Sequence, residues 1–144
     1  CHTFRRPSAR EFLARHDAGT AYVYLNYGMY WLLNVVVKGP VNGFVLLRAL
    51  EPVRGAAAMR ARRAVSRSGG RLPDTQLCSG PGRLAQALGV TGSDHGRDLA
   101  GARGPHFRAR ADEVEIATGA RIGISLGTEM PLRFWVANNP HVSR

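Results

Sequence analysis

The chain has 144 residues, of which 20 are basic and 10 are acidic, giving a net charge of +10 and an isoelectric point near 11.1. Its two cysteines exclude a disulfide framework and argue against a cysteine-ligated zinc site, and no apolar run is long enough to span a membrane. This length, with an apolar content of 44%, predicts one globular domain over residues 1–144.

The positive charge comes almost entirely from arginine, since Lys38 is the only lysine. Arginine presents a planar fork of donors that suits phosphates and base edges. A GC-rich genome explains arginine in place of lysine, but it does not explain the excess over acidic residues. The charge therefore predicts a polyanionic partner, with nucleic acid as the leading candidate.

The first half of the chain has the pattern of an antiparallel meander. The predicted elements are a helical turn at 9–15 and strands at 21–26, 30–37 and 44–50. Tyrosines alternate with Val23 and Leu25 in the first strand, which is strand periodicity. Gly28 and the pair Asn42-Gly43 are turn signals. The links between the strands are too short for crossover connections.

The second half of the chain mixes helices and strands. The predicted elements are helices at 54–67 and 81–88, a loop at 68–74, and strands at 113–125 and 131–137. Pro81 suits the first turn of a helix, and Gly89 suits its end. The order of elements predicts the α+β class, a single domain in which helices flank a curved antiparallel sheet resembling a roll or an open barrel.

Two polar residues interrupt apolar strands. Arg48 lies within VLLRAL, so it either faces solvent or needs a carboxylate or an anion as partner. Asn34 lies within LLNVV and is either a hydrogen-bonded core residue or a pocket donor. Asn34 and Tyr30 share strand parity with Leu32 and Val36, so this face of the sheet is a candidate pocket.

All four tyrosines and one tryptophan fall within residues 20–34, around the predicted turn at Gly28. Large residues in strands are usually core residues or cross-strand pairs. Tyr27 and Met29, however, flank the turn, and turn tips are seldom buried. An apolar tip on a basic protein can wedge between base pairs.

The segment GPGRLA at 80–85 fits the GxGxxA spacing of dinucleotide-binding folds. No apolar strand precedes it, and Pro81 is typical of an ordinary helix start. We interpret it as a capped helix N-terminus, which can hold a phosphate. The five histidines are scattered without metal-ligand spacing, so we expect no metal.

Five blocks along the chain resemble the alkyladenine (3-methyladenine) DNA glycosylase family in order and approximate spacing. They are AYVYLNYGMYWLLN (21–34), VLLRALEP (45–52), LCSGPGRLAQAL (77–88), RDLA (97–100) and PLRFWV (131–136). The resemblance implies a mixed α/β domain that flips an alkylated purine out of duplex DNA and hydrolyses its N-glycosidic bond in base excision repair. It implies a monomer without a cofactor, and a bacterial cytoplasmic location fits the low cysteine content.

The resemblance also implies roles for residues at matching positions. Tyr24 resembles the tyrosine that stacks on the flipped base, and His2 resembles the pocket histidine. Asn34 resembles the asparagine that helps exclude guanine, and Leu46 is a further substrate-binding residue. Arg48 resembles the arginine that helps hold the attacking water.

The DNA contacts that the resemblance implies lie in the predicted hairpin. Tyr27 resembles the side chain that enters the minor groove and fills the vacated place in the stack. Met29 and Tyr30 belong to the same intercalating hairpin. Inserting a side chain offsets part of the unstacking free energy, which is a few kcal/mol.

The family's general base is a glutamate in a Glu-x-Glu-Ala-Tyr segment upstream of the pocket histidine. We therefore expect it before Cys1, in a chain that is truncated at its N-terminus; neither Glu11 nor Glu51 matches that motif. Without this base, hydrolysis should lose about 10²–10⁴-fold in rate, so the alternative is an inactive module that binds damaged DNA.

A third interpretation of the sequence is a β-rich domain that binds RNA.

For the enzyme, the lysine content restricts the chemistry. Glycosylases with lyase activity need an amine nucleophile, and Lys38 lies at a predicted strand end rather than in a motif. We therefore expect a monofunctional enzyme that uses water and forms no Schiff base.

Overall fold

The computed structural model describes residues 6–63, 72–110 and 112–143. In chain order its elements are helix α1 (Pro7–Arg15), strands β1 (Ala21–Asn26), β2 (Tyr30–Val37) and β3 (Gly43–Leu46), helices α2 (Ala56–Arg63), α3 (Asp74–Leu77) and α4 (Pro81–Leu88), a 3₁₀ turn (Gly92–Asp94), and strands β4 (Ile116–Gly119) and β5 (Arg133–Val136). The first two strands and the last helix coincide with the predicted ones.

Strands β1, β2 and β3 form an antiparallel sheet in that order, so the predicted meander is confirmed. One face of this sheet packs against helices α3 and α4. The buried residues of this core are Ala21, Val23, Leu33, Val35, Leu77, Cys78, Leu84, Ala87 and Leu99. Because side chains alternate along a strand, the intervening residues of β1 and β2 lie on the opposite face.

That opposite face packs against helix α1. Ala9 and Phe12 of α1 form a second buried cluster with Tyr22 and Val36 of the sheet. The Phe12 and Tyr22 rings meet edge to face, with centroids 5.0 Å apart, an arrangement that aromatic pairs favour. The sheet is therefore covered by helices on both faces, and the α1 face is the one on which the sequence predicts a pocket.

Strand β3 is shorter than the predicted strand at 44–50. It ends at Leu46, where the chain changes its pairing partner. The Gly80 amide donates to the Arg48 carbonyl oxygen at 2.9 Å, and Ala49 forms an isolated bridge with Ser79. Hydrophobic periodicity cannot reveal this change, because the new partner is 30 residues away along the chain.

Strands β4 and β5 pair as a separate antiparallel hairpin, shorter than the predicted strands at 113–125 and 131–137. After β4, Arg121 Nη2 bridges the following loop by donating to the carbonyl oxygens of Leu126 and Gly127 at 3.2 and 2.9 Å. The predicted α+β class is confirmed. In the described residues the strands form two sheets, and neither closes into a barrel.

The helices differ from the prediction mainly in the middle of the chain. Helix α2 begins at Ala56, after Gly55 in the left-handed region (φ +76°), and the predicted stretch 64–67 lies outside the described residues. Helix α3, which the sequence analysis missed, begins at the end of the predicted loop 68–74. Helix α4 starts at Pro81 and ends at left-handed Gly89, as predicted. None of the helices in the described ranges is both long and apolar enough to cross a bilayer.

Candidate active site and nucleic-acid interface

A cavity of about 920 Å³ lies between the three-stranded sheet, helix α1 and the β4–β5 hairpin. Its walls include four residues that the sequence analysis predicts as site residues, namely Tyr24, Asn34, Leu46 and Arg48. Tyr24, Asn34 and Leu46 lie on the adjacent strands β1, β2 and β3. Asn34 is paired with Leu46 on one side and with Tyr22 on the other, and Tyr24 follows Tyr22 by two residues. Residues of matching parity on paired strands share a face, so the strand register brings these side chains together.

Asn34 is 5% exposed, and its Nδ2 donates a hydrogen bond to the Tyr22 carbonyl oxygen at 3.2 Å. This bond sets the plane of the carboxamide. The sequence leaves two alternatives for Asn34, a core amide or a pocket donor, and the residue has features of both. A polar side chain that is already held on one side loses little freedom when a ligand contacts it.

Tyr24 is half-buried in a cluster of aromatic side chains. Its ring is tilted against that of Tyr22, with centroids 5.8 Å apart. Burial raises the pKa of the Tyr24 phenol, the charge of Arg6 lowers it in part, and Tyr22 and Tyr27 raise it further. Tyr24 therefore contributes a neutral, electron-rich ring to the cavity wall at physiological pH.

Arg48 reaches into the cavity rather than lying on a solvated sheet face. Its Nη1 donates to the Ile122 carbonyl oxygen at 3.3 Å, and its buried Nε has no hydrogen-bond partner among the described residues. Burial lowers the pKa of the guanidinium, and the nearby charge of Arg133 lowers it further. No carboxylate of the described ranges forms an ion pair with Arg48. A buried donor without a partner is costly, so this geometry suits an acceptor from elsewhere.

The cavity also contains polar residues that the sequence analysis missed. Arg121 and His141 line it, and the Arg121 Nε and His141 Nδ1 are buried without a hydrogen-bond partner in the described part of the chain. Glu51 is the acidic residue in the lining, and its Oε2 accepts from Asn139 Nδ2 at 2.9 Å. Only the folded path of 112–143 brings Arg121 and His141 to the sheet, so local sequence carried no signal for these two residues.

The predicted intercalating hairpin is the most exposed aromatic feature of the sheet. Tyr27, Met29 and Tyr30 are 79%, 65% and 55% exposed. Tyr27 (φ +51°) and Gly28 (φ +68°) both occupy the left-handed region, within a three-residue turn between the paired residues Asn26 and Tyr30. Left-handed backbone is unfavourable for a residue with a bulky side chain, so the turn imposes on Tyr27 a backbone conformation that its local preference opposes.

A second, open groove of about 440 Å³ lies beside this hairpin, at the N-terminus of α4. Arg63 and Arg83 line it together with Tyr30. Arg63 Nη1 donates to Gln86 Oε1 at 2.9 Å, while its buried Nε has no partner within the described ranges. Burial lowers the pKa of Arg63, and the charge of Arg83 lowers it further. Two cations beside a helix N-terminus favour an anion.

The remaining predictions about this region have mixed outcomes. GPGRLA contains a helix start that follows helix α3 rather than a strand, so the interpretation as an ordinary helix N-terminus holds. His2, the predicted pocket histidine, lies outside the described residues. His16 stacks on Phe12 with centroids 3.8 Å apart, and His95 Nδ1 lies 2.8 Å from the Val23 carbonyl oxygen. These two histidines therefore have structural contacts.

Comparison with known proteins identifies the fold's relatives. The family model for methylpurine-DNA glycosylase matches residues 1–140. The chain belongs to this family. The predicted family membership is confirmed, and so is the predicted class, a DNA glycosylase type of hydrolase.

Three curated bacterial proteins illustrate the similarity. The protein of Chlorobium luteolum is 40% identical over 146 residues, which cover 100% of this chain and 71% of its own. The protein of Rubrobacter xylanophilus is 44% identical over 138 residues, which cover 94% of this chain and 68% of that protein. The protein of Bradyrhizobium diazoefficiens is 40% identical over 146 residues, covering 99% and 68%. Each is provisionally named as a 3-methyladenine DNA glycosylase.

The environment of Tyr24 predicts a late alkaline titration. Tyr24→Phe should remove a phenolate absorbance step whose midpoint lies above the ordinary tyrosine pKa of about 10. Since the folded pKa is raised, the unfolded chain loses this proton first, and the free energy of unfolding should fall as pH rises from about 10. Spectrophotometric titration of wild type and variant checks this, with Tyr27→Phe as a reference that removes an exposed phenol. If the absorbance step that Tyr24→Phe removes has its midpoint at or below the ordinary tyrosine pKa, the prediction is wrong.

Proposed function

We propose that this protein is a monofunctional DNA glycosylase that turns an alkylated purine out of duplex DNA and hydrolyses its N-glycosidic bond in base excision repair. The family match over residues 1–140 supports the reaction class. The observation that carries the proposal is that β1 joins Tyr24 in the cavity wall to the exposed tip at Tyr27. Three residues of strand span about 10 Å, so a nucleotide leaving the stack at the tip has a short path to the cavity.

In this proposal the hairpin stabilises the flipped state. Flipping costs a few kcal/mol of unstacking and unpairing. Tyr27 enters the minor groove and fills the vacated place in the stack, while Met29 and Tyr30 contact the neighbouring steps. The tight turn supports this role because it presents Tyr27 before DNA arrives, with little chain entropy left to lose.

The cavity recognises the flipped base by charge and shape. Stacking on the Tyr24 ring contributes roughly 1–3 kcal/mol per base. An alkylated purine that carries positive charge gains a cation–π attraction in addition, which a normal purine lacks. Asn34 discriminates against guanine through its fixed carboxamide, Leu46 supplies an apolar wall, and His2 completes the pocket.

In the proposed hydrolysis, Arg48 positions the attacking water. Its unpartnered Nε and its contact with the Ile122 carbonyl oxygen support this role, since together they can direct a water at the edge of the cavity. The general base in this scheme is the glutamate of the family segment upstream of the pocket histidine. Glu51 is a poor substitute for this general base because its Oε2 already accepts a hydrogen bond from Asn139 Nδ2.

The lysine geometry supports a monofunctional reaction. Lys38 donates to the Leu13 carbonyl oxygen and is not part of the cavity lining. Because no lysine of the described residues lines the cavity that receives the flipped nucleobase, we propose water as the attacking group. We further propose that the protein acts as a monomer on duplex DNA in the bacterial cytoplasm.

The groove beside the hairpin holds the DNA backbone in this proposal. Arg63 and Arg83 contact phosphates next to the flipped nucleotide, and the N-terminus of α4 adds its partial positive charge. Tyr30 of the hairpin lines this groove, which supports simultaneous contact of the protein with the vacated stack and with the DNA backbone. The net charge of +10 provides the sequence-independent part of the affinity.

One observation favours a second candidate function. Because no acidic side chain of the described residues pairs with Arg48, the cavity can also belong to a module that binds damaged DNA without hydrolysis. This alternative predicts the same discrimination between damaged and undamaged duplexes. It differs only in the release of the base.

Base release separates the two functions. The full gene product is incubated with duplex DNA methylated on its purines, and free bases and strand breaks are quantified. We expect free methylated purines and strands that break only after alkali, because water attack leaves an intact abasic strand. Arg48→Ala should lower the rate by roughly 10²-fold, whereas Arg15→Ala on the exposed face of α1 should not. Tight binding without release supports the binding module, and strand cleavage without alkali contradicts a monofunctional enzyme.

The hairpin role predicts a separation of specific from nonspecific binding. Tyr27→Ala should weaken binding to a damaged duplex by about ten-fold or more, since the unstacking cost is no longer offset, while salt-sensitive binding to an undamaged duplex stays nearly unchanged. Val41→Ala is the matched control, because Val41 is 83% exposed in the turn at the other end of β2. Filter binding on both duplexes measures the effect. Equal loss on both duplexes means that Tyr27 is only structural.

The groove predicts a change in salt dependence. Arg63→Ala and Arg83→Ala should each reduce the slope of log affinity against log salt by about 1, the amount expected for one lost phosphate contact. Arg15→Ala removes the same charge from a residue that pairs with Glu11 at 2.6 Å, so its slope should match that of wild type. Binding titrations at several salt concentrations give the slopes. Wild-type slopes for both groove variants rule out a phosphate contact there.

A further inference from the structure

A second cation shares the ring that the proposed function assigns to the flipped base. The Arg6 Cζ lies over the Tyr24 ring, 5.8 Å from its centroid. This distance is within the range in which a guanidinium is attracted to an aromatic face. Neither the composition nor the family resemblance marks Arg6, so the contact is a property of the folded chain.

Helix α1 fixes the backbone of Arg6. Arg6 is the N-cap residue (φ −92°, ψ 120°), and its carbonyl oxygen accepts from the Ala9 and Arg10 amides at 3.1 and 3.3 Å. The side chain therefore starts from a fixed backbone position and reaches over Tyr24, a residue of the cavity wall. It can leave Tyr24 by rotating about its own bonds, without any change in the helix.

The guanidinium has no competing ion pair in the described ranges of the chain. Its charge acts on the phenols of both Tyr22 and Tyr24, where it opposes the pKa increase caused by burial. The aromatic cluster is thus the main electrostatic partner of Arg6 among the described residues. A flat cation on an electron-rich ring is also the arrangement proposed above for an alkylated purine.

We propose that Arg6 is a specificity-determining residue that competes, as an internal cation, with a cationic purine for the Tyr24 ring. One ring cannot attract two cations at full strength, because the first cation draws on the same quadrupole and repels the second. Arg6 therefore lowers the affinity of Tyr24 for isolated cationic purines. A base binds well only when contacts with the rest of the duplex contribute.

This inference rests on the proposed stacking role of Tyr24 and is tested with a single nucleoside rather than DNA. N7-methylguanosine is a purine nucleoside with a fixed positive charge and no phosphate. Its dissociation constant is measured by nuclear magnetic resonance titration of the tyrosine ring signals, with Tyr24→Leu identifying the Tyr24 resonances. Wild type, Arg6→Gln and Arg15→Gln are compared. Arg15 is the control because it carries the same charge on the same helix, away from the ring and paired with Glu11.

We expect Arg6→Gln to bind the nucleoside about two- to five-fold more tightly than wild type, the range that corresponds to an exposed cation–π contact. Arg15→Gln should bind like wild type. Equal affinity of Arg6→Gln and wild type, weaker binding by Arg6→Gln, or an equal gain in Arg15→Gln overturns the role of Arg6 while leaving the pocket intact. Absence of nucleoside binding by every protein, Arg6→Gln included, overturns both this role and the proposed stacking on Tyr24.

Discussion

The alternation of side chains across the β1–β2–β3 sheet is the constraint on which the rest of the protein depends. Ala21, Val23, Leu33 and Val35 point to one face and close the core against α4. The same register directs Tyr24 and the other strand residues of the cavity to the opposite face. A slip of one residue would move the apolar set to the cavity and the polar set into the core. The free energy of core burial therefore also determines the composition of the cavity.

The second feature that shapes the site is a set of buried polar atoms without partners. In the described residues these are the Nε donors of Arg48, Arg63 and Arg121, together with the Nδ1 of His141. An unsatisfied buried donor costs about 1–3 kcal/mol, so folded proteins keep few of them. Here they line the cavity and the groove beside the hairpin. Both are places where a ligand or a further segment of protein can supply the missing acceptor, and both agree with the polyanion partner that the net charge indicates.

Helix α4 links the core to the exposed surface. Its Leu84 and Ala87 are fully buried under the sheet, whereas its first turn faces the groove that Arg83 lines. A Cβ atom at Gly82 would lie 3.2 Å from Tyr30, so any larger residue would push Tyr30 outward, and glycine allows this close packing of the helix against the hairpin. The helix thus supports a hairpin whose tip is held in left-handed backbone. Support of this kind offsets the cost of the left-handed backbone at Tyr27, which a bulky residue adopts only where the surrounding structure imposes it.

The sequence by itself determined the elements that depend on neighbouring residues. Strand β1 follows from alternation, strand β2 from an apolar segment bounded by turn signals, helix α4 from Pro81 and Gly89, and the exposed tip from the turn at Gly28. The family resemblance, not the periodicity, indicated which of these residues belong to a site. Asn34 could be assigned to a pocket face by parity alone, but not to a hydrogen bond with Tyr22.

Only the tertiary structure decided the features that depend on distant segments. After β3 ends, the chain pairs with Ser79 and Gly80 instead of continuing along β2. The β4–β5 hairpin is short, and Arg121 bridges the loop between its strands by donating to the Gly127 carbonyl oxygen. Arg121 and His141 reach the cavity because residues 112–143 fold back over the sheet, and Arg6 reaches Tyr24 because α1 packs on that face. Local propensity is blind to such contacts, since their free energy arises from surfaces that meet only after the chain has folded.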